Sequence, residues 1–190
     1  ADSQGRKRNY GGGIYLDNAS PVIFYCVIKN NHASSWGGGV NSMSSNIEVN
    51  YTVFENNTCD SKGGAWYDLS GTPTVVNAVF VNNKATSTGG AVYFKGTTAN
   101  VYNSTLYNNS GNGTPGGGFY LFEDAVSGYT TTANVYNSIL WKTPVTFGGA
   151  SPSVANFFAY ATLLDSNYTT SQVSLTNCIA LDPQFVDITN

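Results

Sequence analysis

The chain has 190 residues, one domain's worth, and only 10% of them are charged, against roughly a quarter in an average globular domain. A net charge of −3 and a pI of about 4.8 argue against nucleic acid as a partner, and no apolar run approaches the about 20 residues a membrane-spanning helix needs. The 13 Tyr and 10 Phe exclude a disordered polar tract, so the Asn, Ser, Thr and Gly that replace charge must solubilise a folded, β-rich surface.

Residues 1–10 form a polar N-terminal arm carrying the one basic run, Arg6-Lys7-Arg8. Ala1-Asp2-Ser3 is compatible with a mature start after signal-peptide removal. From residue 11 the chain keeps time. Gly11-Gly12-Gly13, Gly37-Gly38-Gly39, Gly63-Gly64 and Gly89-Gly90 start 26 residues apart (37−11, 63−37, 89−63), and Asn30-Asn31, Asn56-Asn57, Asn82-Asn83 and Asn108-Asn109 keep the same interval. Two unrelated markers in one period mean one structural unit repeated.

Each unit contributes short apolar segments with period-2 alternation, the mark of a strand with one face buried. After each glycine cluster comes Ile14, Val40, Trp66, Val92 and Phe119. The next segment supplies Ile23, Val49, Val75, Val101 and, after an insertion, Val135. Then comes a small column of Cys26, Thr52, Ala78, Ser104, Ser138 and Cys178, followed by Ile28, Phe54, Phe80, Leu106 and Leu140. Like residues recurring every 26 positions stack parallel strands in register, about 4.8 Å apart. The expected fold is all-β: a right-handed parallel β-helix of about six coils over residues 11–190, with three sheets. Its coils run 11–36, 37–62, 63–88, 89–115, 116–147 and 148–190. Asn30, Asn56, Asn82 and Asn108 fit a turn, with amides bonded to the Asn above and below. The paired glycines fit a second turn.

The run of glycines, aliphatic residue and Tyr, then an apolar strand and Asn-Asn, resembles the right-handed parallel β-helix repeats of secreted bacterial surface proteins, of which polymorphic outer-membrane proteins and pectin-lyase-like β-helices are the nearest groups. The close Asp182-Pro183-Gln184-Phe185-Val186-Asp187 resembles the last coil of many such proteins. The resemblance covers residues 11–187 and implies the fold; that fold hosts lyases, hydrolases, adhesins and inert stalks alike.

Chemistry is therefore sought where the repeat breaks. The fifth coil carries an insertion around 122–129 and the sixth a longer one around 150–172, both expected as loops. The single histidine, His32, sits in an exposed turn column (His32, Thr58, Lys84, Ser110) and is expected to lack a carboxylate partner. Asp17, Glu48, Glu55, Asp60 and Asp68 share no column, so no glycosidase-like carboxylate pair forms. Glu123-Asp124 reads as a solvated loop tip. The cysteines Cys26, Cys59 and Cys178 show neither disulfide nor zinc spacing. No cofactor or metal is expected, and the chain reads as a non-enzyme. The column Tyr15, Asn41, Tyr67, Tyr93, Tyr120 follows the inward column, so period 2 points Tyr15, Tyr67, Tyr93 and Tyr120 outward. They serve as structural stacking, as a saccharide-binding ladder, or as a chain-to-chain contact. Sequons such as Asn50-Tyr51-Thr52 follow from an Asn- and Thr-rich repeat.

If Asp182 takes the place of Asn108, Asn190 falls where Gly116 falls (190−182 = 116−108), so the coils close near a whole number. Uncapped ends in phase favour a head-to-tail homopolymer. Its joint would use Arg6, Lys7 and Arg8, which cap the helix or meet a neighbour, with Phe185, Val186 and Ile188. Cys26 and Cys178, about five coil steps apart in one chain, would meet across the joint. The functional expectation is an extracellular or cell-surface structural protein, a subunit of a fibre. The alternatives are a carbohydrate-binding or carbohydrate-active β-helix partnered with extracellular polysaccharide, and a fragment of a larger bacterial adhesin.

Overall fold

The structure is a computed structural model and describes residues 9–113, 116–123, 128, 130–149, 155–160, 162–164, 172–180 and 182–183. The first coil lays down β1 (Ile14–Asp17), β2 (Val22–Phe24), β3 (Val27–Lys29) and the two-residue β4 (His32–Ala33). The second repeats them as β5 (Val40–Met43), β6 (Glu48–Asn50), β7 (Val53–Glu55) and β8 (Thr58–Cys59). Every pairing is parallel, and Ile14 opposes Val40, Val22 opposes Glu48, and Val27 opposes Val53. Stacking of successive coils builds sheets of six, seven and six strands and a fourth of four short strands. The chain is thus a parallel β-solenoid, all-β as expected, with four faces where three were expected. The added face comes from β4, β8 and their successors, which are too short to show an alternating pattern in the sequence.

The inward columns match the sequence reading. Val49, Phe54, Val75, Val101, Leu106, Val135 and Leu140 lie in one buried cluster, and Phe54 stacks flat on Phe80 at 4.4 Å and 2°. Larger rings meet edge-on: Trp66 on Phe94, Phe94 on Phe119 and Phe119 on Phe157.

The corners explain the punctuation. Asn30, Asn56, Asn82 and Asn108 have φ of 56°, 53°, 56° and 54°, the left-handed region that Asn tolerates. In the expected column Asn108 Nδ2 donates to Asn82 Oδ1 at 2.7 Å, but the continuous, buried amide ladder is carried by the second Asn of each pair. Asn31 Nδ2 donates to Asn57 Oδ1 (3.0 Å), Asn57 Nδ2 to Asn83 Oδ1 (3.0 Å) and Asn83 Nδ2 to Asn109 Oδ1 (2.9 Å). Asn57, Asn83 and Asn109 are wholly buried. Gly37 takes φ 67°, and a Cβ on Gly38 would collide with the carbonyl oxygens of Thr58 and Gly64, so the two glycines serve conformation and close approach respectively. In the small column the Ser and Thr hydroxyls are acceptors: Ala78 N donates to Ser104 Oγ and Ser104 N to Ser138 Oγ, each at 3.1 Å.

The expected loop over 150–172 is corrected in part. Asn156–Tyr160 and Leu163–Leu164 are strands. Thr132 pairs with Asn156 and Phe157 with Val173, so the step, 34 residues at Thr98 and Thr132, shortens to 24 and then to 16. A shortened coil keeps its inward residues but loses its glycine and Asn markers, which is why the interval alone missed it. Asp124 to Ser127, Tyr129, 150–154 and 165–171 lie outside the described residues.

Asn83→Ala should be among the most damaging single changes. It removes the amide that donates to Phe54 O (2.9 Å) and to Asn109, and strips the acceptor from Asn57 N (2.9 Å) and Asn57 Nδ2. Several buried groups left unpaired at about 1–3 kcal/mol each give an expected loss of about 3 kcal/mol or more, read as a lower urea midpoint. An unchanged midpoint would show that the ladder does not hold the coils.

Candidate functional site

The outward aromatic column is built on the first sheet, where Tyr15, Asn41, Tyr67, Tyr93 and Tyr120 pair in register. Tyr67 stacks on Tyr93 and Tyr93 on Tyr120, each with centroids 5.1 Å apart and planes 7° off parallel. Where the column holds Asn41, Trp36 supplies the missing ring, 5.0 Å from Tyr67, and Tyr10 lies 4.5 Å beyond it. The result is a five-ring ladder, Tyr10–Trp36–Tyr67–Tyr93–Tyr120.

Three of its rings are closed to solvent, which corrects the expectation that they are exposed, while Tyr10 and Trp36 are half-buried. Tyr67, Tyr93 and Tyr120 are 4%, 1% and 5% exposed beneath Trp36, Leu69 and Phe122. The Lys62 ammonium lies 5.2 Å over Tyr93 and 5.8 Å over Phe122, and Lys95 lies 5.2 Å over Phe122. Burial pushes the Tyr93 and Tyr120 phenols up, and burial, then the charge of Lys95, pushes Lys62 down. These rings point out of the solenoid wall but form a second small core on it, with their faces occupied by one another. Tyr15 alone stays 37% exposed, its hydroxyl 3.5 Å from Met43 Sδ.

Three other candidates move. His32 does have a carboxylate neighbour: Asp60 Oδ2 is 3.3 Å from Nε2, and Thr58 Oγ1 is 3.0 Å from Nδ1. Asp60 sits two residues past Thr58, just beyond the end of β8, so it meets His32 along a diagonal and not within one column. Both partners are more than half exposed, and an exposed pair of this kind contributes little stability. Glu123 is wholly buried, not part of a solvated tip; Asp124 lies outside the described residues. Cys26 is exposed and Cys178 half-buried, and both, like Cys59, are free thiols. Thr162 intervenes between Ser138 and Cys178: its hydroxyl reaches Val135 O and Tyr160 O as the Cys178 thiol reaches Ala159 O and Thr176 O. Cys26 and Cys178 are therefore six coil steps apart, not five. Arg6, Lys7, Arg8, Phe185, Val186 and Ile188 lie outside the described residues.

Sequence reasoning passed over Asp68, which is wholly buried in the wall. Its oxygens accept from Ser42 Oγ, from Thr97 Oγ1 (2.6 Å) and from Gly71 N (3.0 Å), while Trp66 Nε1 donates to Ser42 Oγ at 2.7 Å. The available signal was Ser42, a small hydroxyl directly opposite Asp68 in register. Desolvation outweighs the three donors, and the carboxyl is pushed up to about 6. Among the described residues no three His, Cys, Asp or Glu side chains gather as a metal site, and no helix is long and apolar enough to cross a membrane.

A Chlamydia polymorphic membrane protein repeat matches residues 51–65 and 77–95. These two stretches hold Phe54, Asn56-Asn57 and Gly63-Gly64, then Phe80, Asn82-Asn83 and Gly89-Gly90, the ring stack, amide ladder and glycine corner of successive coils. Over these two stretches the chain is similar to the polymorphic membrane protein repeat, and its coils form a parallel β-solenoid. The repeat belongs to a surface and outer-membrane family, not to an enzyme family. No curated protein and no solved structure matches the chain.

The raised Asp68 pKa sets a pH dependence. The folded state holds this proton up to about pH 6, whereas the unfolded chain releases it near 4. The folded state therefore binds more protons between these values, and stability from this group is fully present below about pH 4 and lost as pH rises through about 6. Asp68→Asn should flatten that fall when urea midpoints are compared from pH 4 to 7. Parallel profiles for the two proteins would rule the titration out.

Proposed function

We propose that this chain is a structural element of a cell surface: a rigid β-helix extended at its open coil edge by a further β-helix, in the simplest case a second copy of itself. The observation behind this reading is the first coil. β1, β2, β3 and β4 are each the terminal strand of their sheet among the described residues. Their outer backbone groups form a template for another strand.

The core thins at the same place. Ile23 and Ile28 are 8% and 7% exposed where their successors Val49 and Phe54 are at 0%, and Ile14 and Leu16 are only partly buried. A further coil in register would cover these side chains and pair the strand edges at once. Such a contact is heterologous, joining one end to the other, and it propagates instead of closing. The match to a surface-protein repeat supports a location outside the cell, where a low-charge amide and hydroxyl surface suits a load-bearing stem.

The full chain should lengthen with concentration in sedimentation velocity and show thin fibres by negative stain. Leu16→Asp, which places a charge on the open end, should return it to monomer while circular dichroism stays that of a β-protein. A wild-type chain that remains monomeric at about 1 mM would overturn self-extension.

A further inference from the structure

Two corners of the repeat break their own rule: Lys142 takes the place of Asn108 at φ 48°, and tyrosines stand at another. Between the second and third sheets the chain turns through a left-handed residue, which is Asn77, Asn103, Asn137 and Asn177 in later coils. In the first two coils the same corner is Tyr25 and Tyr51, at φ 50° and 49°. Asn suits this conformation and Tyr does not. Strain of this kind persists where something other than stability selects the residue.

The two rings are exposed. Tyr25 is 69% and Tyr51 48% accessible, with Phe24 beside them at 51%. Tyr25 lies over Tyr51 at 5.0 Å and 24°, and Phe24 stands against both, 4.3 Å from Tyr25 at 64° and 5.9 Å from Tyr51 at 88°. The arrangement is a flat ring with an upright wall. It differs from the Tyr67–Tyr93–Tyr120 ladder, which its own neighbours cover. Directly below the wall, Asn50 opposes Phe24 and Glu48 opposes Val22 in register, and Asn50 Nδ2 donates to Glu48 Oε1 at 2.7 Å.

Size and charge choose the partner. A stable protein interface engages about 20–30 residues a side. The exposed apolar group here is five side chains, the three rings with Val22 and Val27, which is the footprint of a small ligand. Its polar neighbours are an amide and a carboxylate, which suit hydroxyl groups and disfavour an anion. We infer that Phe24, Tyr25 and Tyr51 form a stacking platform for a neutral or amino sugar, with Glu48 and Asn50 accepting and donating hydrogen bonds at the ring's edge. The apolar face of a pyranose lies on the Tyr25 ring and its hydroxyls reach the polar pair.

The test uses the full chain and defined cello-, chito- and galacto-oligosaccharides in saturation-transfer NMR and calorimetry. At least one should bind, with Kd on the order of 0.1–1 mM, with transfer to Tyr and Phe ring protons. Tyr25→Asn with Tyr51→Asn restores the repeat's own corner residue. That variant should unfold at a higher temperature while binding weakens about tenfold or more, and Phe24→Ser should weaken binding with the corner left as it is. Gain of stability together with loss of ligand is an outcome that a merely structural role for the tyrosines does not produce. No binding by any of the three saccharide series, or equal binding by the double variant, would overturn the proposal. So would a wild-type oligomer that the double variant dissolves, which would make the patch a protein contact.

Discussion

Each coil is tied to the next by parallel backbone hydrogen bonds in unbroken register, and that pairing dictates what every side chain may be. A residue has its counterparts directly above and below, so each column must tolerate itself. Aliphatic columns do so by burial, Phe54 and Phe80 by flat stacking, and the serine column by accepting an amide N–H from the preceding coil. The inner asparagines do so by a chain in which each amide donates to the next. A charged column would repel itself, which explains a chain with 10% charged residues better than any general preference for polarity. Asp68 shows the same rule from the other side. It is a buried carboxylate tolerated because Ser42 and Thr97 flank it with hydroxyls and the turn beyond it offers the Gly71 N–H.

The regularity also separates framework from function. Stacked rings decorate the outside of the solenoid at several places, Tyr102, Tyr136 and Tyr160 among them, and two of these sets differ in kind. Tyr67, Tyr93 and Tyr120 sit on strand positions, roofed by Trp36, Leu69 and Phe122, and add a second core to the wall. Tyr25 and Tyr51 sit on corner positions, where no neighbouring strand can cover them. The first set stabilises the scaffold; the second strains it. In a molecule whose every coil could use the same corner residue, a costly exception is the place to look for a ligand.

The two proposals meet at the first coil. Tyr51 lies against one face of Tyr25, so the other face of that ring is turned toward the edge at which a further coil would add. A copy docked there would compete with a ligand for that face. The repeat match to a surface-protein family is consistent with a stem that carries contacts on its flank.

Much of this could be read from the chain alone. The interval of the Gly and Asn markers, with period 2 between them, dictates parallel stacking, and with it the inward columns through Ile23, Ile28 and their successors. These are properties of spacing, and spacing is visible in a sequence. What required the tertiary structure was whatever depends on a neighbour off the column. Trp36 swings in to complete the ring ladder over Asn41. Asp60 reaches His32 along a diagonal. Thr162 inserts a coil whose markers are gone, and Tyr67 and Tyr93 are covered although their strand parity points them outward. Parity decides which side of a sheet a side chain leaves from. Only the packing of the surrounding side chains decides whether it meets water there.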